Sequence, residues 1–201
     1  MSLPSSYGHR PTRAFISNPN SSLVALAITL ACLLVFVSSR KAAAEVFHSR
    51  AEIDDLAFPD SDRVETRDIF LSTQQRSQIE RLAGSTLDSA LLTIYEGYRE
   101  SRLIGYAVLD THQVRTLAET LLVILDPTGS VAATYLMAFH EPLEYRPNER
   151  WLALMKERRL SDDLRVGRGV VGITGATLSS RAAVSGVRRA LAIYQVLLAN
   201  P

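Results

Sequence analysis

The chain has 201 residues with 22 basic and 21 acidic side chains, and every acidic one lies at or beyond Glu45. Setting aside Arg10, Arg13, Arg40 and Lys41 leaves 18 basic against 21 acidic side chains downstream, a balance that gives no electrostatic footprint for nucleic acid. The single cysteine, Cys32, excludes an internal disulfide, a thiolate zinc site and an iron–sulfur cluster, and no C-x-x-C-H is present for c-type haem, so electrons carried here require an organic cofactor.

Residues 1–20 read as a short N-terminal tail. Residues 21–39, "SSLVALAITLACLLVFVSS", carry no charge and read as a transmembrane or signal-anchor helix, because nineteen residues rising 1.5 Å each just span about 30 Å of hydrocarbon. The competing reading is a cleaved signal peptide, with Arg10 and Arg13 as its basic region and "AAA" at 42–44 as its cleavage site. Arg40 and Lys41, placed directly after the run, suit the flank of a retained helix better. Two basic residues on each side do not choose an orientation.

Residues 45–96 read as a helical lead-in. Ser72 and Gln75 have capping-box spacing, and Ile79 and Leu82 start an apolar stripe that Gly84 weakens and Leu87, Leu91 and Ile94 resume, as one broken helix or two short ones. The period then changes. "LIGYAVLD" (103–110), "TLLVILD" (120–126) and "SVAATYLMAF" (130–139) read as strands, and "DPTG" (126–129) joins the last two as a tight antiparallel connection. Residues 150–159 read as a surface helix with Trp151, Leu152 and Met155 on its apolar side. Residues 161–169 form a charged loop, and 179–198 form a final helix with Val184, Val187, Leu191, Tyr194 and Leu198 at helical spacing. The expected fold is α+β, a small antiparallel sheet packed with helices.

Directly before the final helix stands "GVVGITGATLSS" (169–180). Gly175, Ser179 and Ser180 are explained by a turn and helix caps; Thr174 and Thr177, flanking Gly175 and Ala176, are not. A helix N-terminus presents unpaired N–H groups and partial positive charge, so a phosphate there would be stabilised, and a threonine hydroxyl could contact it or be esterified by it.

"TGAT" (Thr174, Gly175, Ala176, Thr177), followed by Leu178 and Ser179, resembles the [S/T]-G-A-T motif of the FMN-binding domain in the G and C subunits of bacterial ion-pumping ferredoxin and NADH–quinone oxidoreductases. A similar domain occurs in regulators of nitrous-oxide respiration. The resemblance implies FMN joined through its phosphate to Thr177 by a separate magnesium-dependent flavin transferase that uses FAD. Val171 stands where the fuller motif begins with aspartate. Strand order, the Asp126–Gly129 turn and "YLMAFHEPLEYRP" (135–147) extend the likeness over 97–198, the expected FMN-binding domain. The likeness also implies a single anchor in the cytoplasmic membrane, a domain facing the periplasm or cell exterior, and redox partner subunits in or at that membrane.

His140 and Glu141 end a strand; the resemblance places them in a loop near the flavin, where they would tune its potential. As a metal pair they would point apart, with no third ligand. His112, His48 and His9 read as solvent-facing. Tyr106, Tyr135 and Tyr145 read as core or rim packing that could stack near the ring, and Arg165 and Arg168 as loop charges that could meet the phosphate. No strand-linked G-x-G-x-x-G and no acid–base pair are present, which agrees with electron transfer rather than turnover of a substrate. The alternative is a non-catalytic, membrane-tethered interaction module that has lost FMN or holds it loosely. A hydrolase using Thr177 as nucleophile lacks a base beside it in sequence.

Overall fold

The computed structural model describes residues 45–199. The expected transmembrane or signal-anchor segment at 21–39 lies outside them, and among the described residues no helix is long and apolar enough to cross a membrane.

Six antiparallel strands form one sheet in the order β1-β6-β5-β4-β3-β2: β1 (Glu45–Val46), β2 (Arg63–Phe70), β3 (Leu91–Arg99), β4 (Arg102–Gln113), β5 (Ala118–Leu125) and β6 (Val131–Phe139). Strands β2 to β6 run up and down in chain order, and β1 returns to the opposite edge beside β6. Among the described residues there are four α-helices, α1 (Ile53–Ala57), α2 (Thr73–Ala83), α3 (Glu149–Leu152) and α4 (Thr177–Ile193). The α+β class and the antiparallel sheet are as the sequence suggests.

Each face of the sheet buries its own core. Ile53, Ala57 and Phe58, on the segment that carries the chain from β1 across to β2, pack on Tyr95, Ala107, Leu122, Ile124 and Met137. The opposite face presents Tyr106, Val108, Leu121, Val123 and Leu125 to α2 and α4. Alternate residues of β4 and β5 therefore serve different layers, as a period of two requires. Val187 and Leu191 of α4 are fully enclosed, and burial of each such side chain contributes about 1.5–3 kcal/mol.

The lead-in is not mainly helical. The Ser72–Gln75 capping box forms in both directions, at 3.2 and 3.0 Å, but α2 ends at Ala83 because Gly84 takes the left-handed conformation at φ +71. Leu91 and Ile94 belong to β3, not to a resumed helix. Leu87 fills the core from the connecting loop. Residues 45–96 thus supply two strands and most of a third to the shared sheet, and a domain boundary at 97 cuts β3.

The helix expected over 150–159 is also shorter. Asn148 caps α3 by accepting from Trp151 N–H at 2.9 Å, a 3-10 turn follows over Ala153–Met155, and there the helix stops. Glu157 N–H donates to Val131 C=O at 2.7 Å and Arg158 C=O accepts from Val131 N–H at 2.9 Å, so the start of β6 captures the backbone that helix continuation would need. Trp151, Leu152 and Met155 are nonetheless buried together. The 126–129 turn forms around Asp126, whose Oδ1 accepts from Thr128 N–H, Thr128 hydroxyl and Ser130 N–H at 2.7–3.0 Å. At the chain's end α4 widens into a π-helical turn over Tyr194–Leu198.

Candidate functional site

The segment 173–176 turns sharply into α4. Ala176 N–H donates to Ile173 C=O at 3.0 Å, and Gly175 adopts φ +80, a conformation that costs a residue with a Cβ about 1–2 kcal/mol. Ser180 braces the turn from within the helix. Its hydroxyl accepts from Ile173 N–H and donates to Ala176 C=O, both at 2.9 Å. Ser180 is thus a buried strut rather than a cap.

Among the described residues no side chain caps α4 at Ala176. The N–H groups of its first turn and the positive end of its dipole are left for an external acceptor. They open onto a cleft of about 450 Å³ lined by Gly175, Ala176, Thr177, Leu178 and Ser179, by Val114 and Arg115 of the β4–β5 loop, and by Glu141, Pro142 and Tyr145 beyond β6. Thr177, the first residue of α4, is exposed.

Of the eight residues singled out from the sequence, Gly175, Ala176, Thr177, Leu178, Ser179 and Glu141 line this cleft; Thr174 and His140 do not. Thr174 is exposed beside it, and His140 is half-buried, its N–H donating to Ala118 C=O at 3.0 Å. Glu141 works on the neighbouring loop. Its Oε1 accepts from the N–H groups of Arg115, Thr116 and Leu117 at 3.2, 2.7 and 2.8 Å. Burial favours the neutral acid, yet these N–H donors hold the Glu141 carboxyl below its ordinary value. Glu141 therefore fixes one wall through Oε1, while among the described residues Oε2 makes no hydrogen bond.

Among the tyrosines, Tyr145 lines the cleft, whereas Tyr106 packs edge-on against Tyr194 at 5.8 Å and Tyr135 borders a separate cleft with Phe47 and His48. Arg165 and Arg168 are absent from the cleft wall; Arg115 is the guanidinium there, and nothing in its sequence context distinguishes it. Val171 is 71% exposed, and its carbonyl accepts from Trp151 Nε1–H at 2.7 Å. The side chain at the departed motif position thus faces solvent, outside the cleft wall.

These residues fit a phosphate-linked flavin. The cleft offers an exposed hydroxyl at an uncapped helix start, a turn with no side chain at Gly175, and apolar surface from Val114, Leu178 and Tyr145.

One polar cluster escaped sequence reading. His112 is 6% exposed, not solvent-facing: Nδ1 lies 2.6 Å from Asp110 Oδ2 and Nε2 2.8 Å from Glu119 Oε1. Arg189 of α4 grips Asp110 in two bonds, Nε to Oδ1 at 2.8 Å and Nη2 to Oδ2 at 2.7 Å, and reaches Ser85 Oγ at 3.2 Å. Burial opposes every charge in this cluster. The bonds from Arg189 and His112 nevertheless bring Asp110 down to about 2, and those to Asp110 and Glu119 bring His112 up to about 9. Burial dominates at Glu119 and raises it. His48 is half-exposed and paired with Glu52 at 3.1 Å, while His9 lies outside the described residues.

No protein-family model matches the chain, and comparison with curated proteins finds no match.

Proposed function

We propose that this chain is a membrane-anchored flavoprotein electron carrier that holds FMN through a phosphoester on Thr177. It would pass electrons between redox centres of partner subunits in a respiratory or related electron-transport complex. The observation that carries this reading is the exposed Thr177 hydroxyl at the uncapped start of α4, opening onto a cleft of about 450 Å³. The likeness of Thr174–Thr177 to the flavin-attachment motif gives that geometry its chemical sense.

FMN, when bound, supplies one- and two-electron redox chemistry at its ring. The chain's residues supply position. The first-turn N–H groups of α4 and the helix dipole stabilise phosphate charge. Ser180 holds the approach turn, Glu141 holds the 115–117 loop, and Arg115 offers a cation to the cleft. Val114, Leu178 and Tyr145 exclude water from apolar ligand surface. An ester bond also suits a domain displayed outside the cytoplasm, where lost FMN could not readily be replaced. Maturation would require a flavin transferase.

Intact-mass analysis of natively produced protein tests the reading. One FMN phosphoester adduct, mapped to the peptide containing Thr177, is expected. Native protein lacking both the adduct and any retained flavin would leave a tethered α+β module.

A further inference from the structure

A second cleft lies along α4, sharing no wall with the first. Arg181, Ser185 and Arg188, at helical spacing on one face of α4, border about 240 Å³ with Ala83 and Gly84 at the end of α2 and with Arg165 and Val166 of the preceding loop. Among the described residues three guanidinium-bearing side chains line it, and no carboxylate does.

Arg188 is 4% exposed and anchors the cleft floor. Nε donates to Ala83 C=O at 2.7 Å, Nη2 to Leu82 C=O at 3.1 Å, and Nη1 to the carbonyls of Ser161 and Leu164. It thereby caps the negative end of α2, yet among the described residues no carboxylate pairs with it. Burial, and then the nearby Arg165, lower its pKa, while Asp162 acts in the opposite sense. Arg165 comes close above it: a Cβ placed on Gly84 would meet Arg165 Nη2 at 3.3 Å. Arg165 and Arg181 are exposed at the rim, and Asp88 lies in the adjoining cleft that Arg181 also borders.

Like charges gathered around a concave surface repel, and their field draws in a counter-ion. Guanidinium groups bind phosphate oxygens in paired, charge-assisted bonds, and the Ser185 hydroxyl adds a donor. The space suits a tetrahedral oxyanion with its waters. We propose that the cleft between α2 and α4 is a phosphate-binding site, with Arg165 and Arg181 closing on the phosphate over the buried charge of Arg188. The phosphate can arrive free or as a lipid headgroup, because the recognising chemistry is the same.

The test uses the full chain in neutral detergent. Titration calorimetry with inorganic phosphate, against chloride at matched ionic strength, reads the free anion; retention on micelles doped with phosphatidic acid rather than phosphatidylcholine reads the headgroup. Saturable binding in at least one arm is expected, with affinity falling at least about tenfold in Arg165→Gln/Arg181→Gln, whose exposed side chains leave the Arg188 cap intact. Neither Arg165 nor Arg181 lines the flavin cleft, so the fall in affinity of the double variant separates this site from it. Binding in neither arm overturns the proposal, as does undiminished binding by the double variant. Binding in the micelle arm alone, lost in the double variant, supports it and identifies the headgroup as the source.

Discussion

His112 and Glu119 are register partners across β4 and β5, with Nε2 2.8 Å from Oε1, and Glu119 has no exposed surface. Among the described residues Glu119 Oε2 has no hydrogen-bond partner, so His112 is the one group there that bonds this carboxyl. The pair continues through Asp110 into Arg189, tying the middle of the sheet to the last helix by charge as well as by apolar packing. Buried charges of this kind are costly to desolvate, and they are most sensitive to the loss of one member.

The first expected consequence is a stability that declines on the alkaline side. His112 has a folded pKa raised from 6.5 to about 9, so its contribution is complete below about 6.5 and disappears as pH rises through about 9. The raised Glu119 acts in the same sense, because the folded state favours its neutral form. Asp110, lowered from 3.8 to about 2, has the opposite sign: its contribution is present above 3.8 and vanishes as pH falls through about 2. Urea unfolding followed from pH 6 to pH 10 checks the alkaline limb. A His112→Gln chain should show a flatter profile there, and an equal slope in both would contradict the assignment.

Removing one charge should cost more than removing the pair. His112→Leu strands Glu119 without any donor and is expected to destabilise by about 3–5 kcal/mol, while His112→Leu/Glu119→Leu should recover a substantial part of that loss. Denaturant midpoints of the single and double variants, arranged as a double-mutant cycle, give the coupling directly. Strict additivity would mean that the two side chains do not interact.

This cluster marks where sequence reading stops. The strands containing Leu103–Asp110, Thr120–Leu125 and Val131–Phe139 were legible because branched residues alternate over short runs bounded by turn residues. The Ser72 box and the stripe of α4 were legible for similarly local reasons. His112, in contrast, stands in a polar stretch, and only pairing with β5 and the approach of α4 reveal that it is enclosed. Leu91 and Ile94 could continue a helix by spacing, and it was the pairing of β3 with β2 and β4 that decided otherwise. In the candidate cleft, the contiguous run from Gly175 to Ser179 was readable from the chain. Arg115 and Val114 were not, since a loop 60 residues upstream joins that wall only through the sheet.

Ser180→Ala should loosen the approach to α4. The hydroxyl closes two bonds to residues 173 and 176; its loss leaves the half-buried Ile173 N–H unpaired, at an expected cost of about 1–3 kcal/mol, while Ala176 C=O keeps its bond from Ser180 N–H. Hydrogen exchange localises the effect. The Ile173 amide should lose protection while amides in the middle of α4 keep theirs. Flavin retention should fall in the same variant, because the turn that aims Thr177 would no longer be held.

Thr177 itself gives the sharpest separation of chemistry from folding. Its side chain is exposed at the first helical position, so neither Ala nor Ser there removes packing, and both variants should match the native chain within about 0.5 kcal/mol. Thr177→Ser keeps a hydroxyl at the α4 terminus and should retain flavin absorbance that persists through denaturation. Thr177→Ala keeps the cleft, the uncapped N–H groups and the helix dipole but offers no oxygen for an ester. Any FMN it holds would come away when the chain unfolds. Equal, denaturation-resistant colour in Thr177→Ala would place the attachment elsewhere, whereas colour lost from Thr177→Ala and kept by Thr177→Ser ties the bond to this hydroxyl, since stability and cleft shape are matched between them.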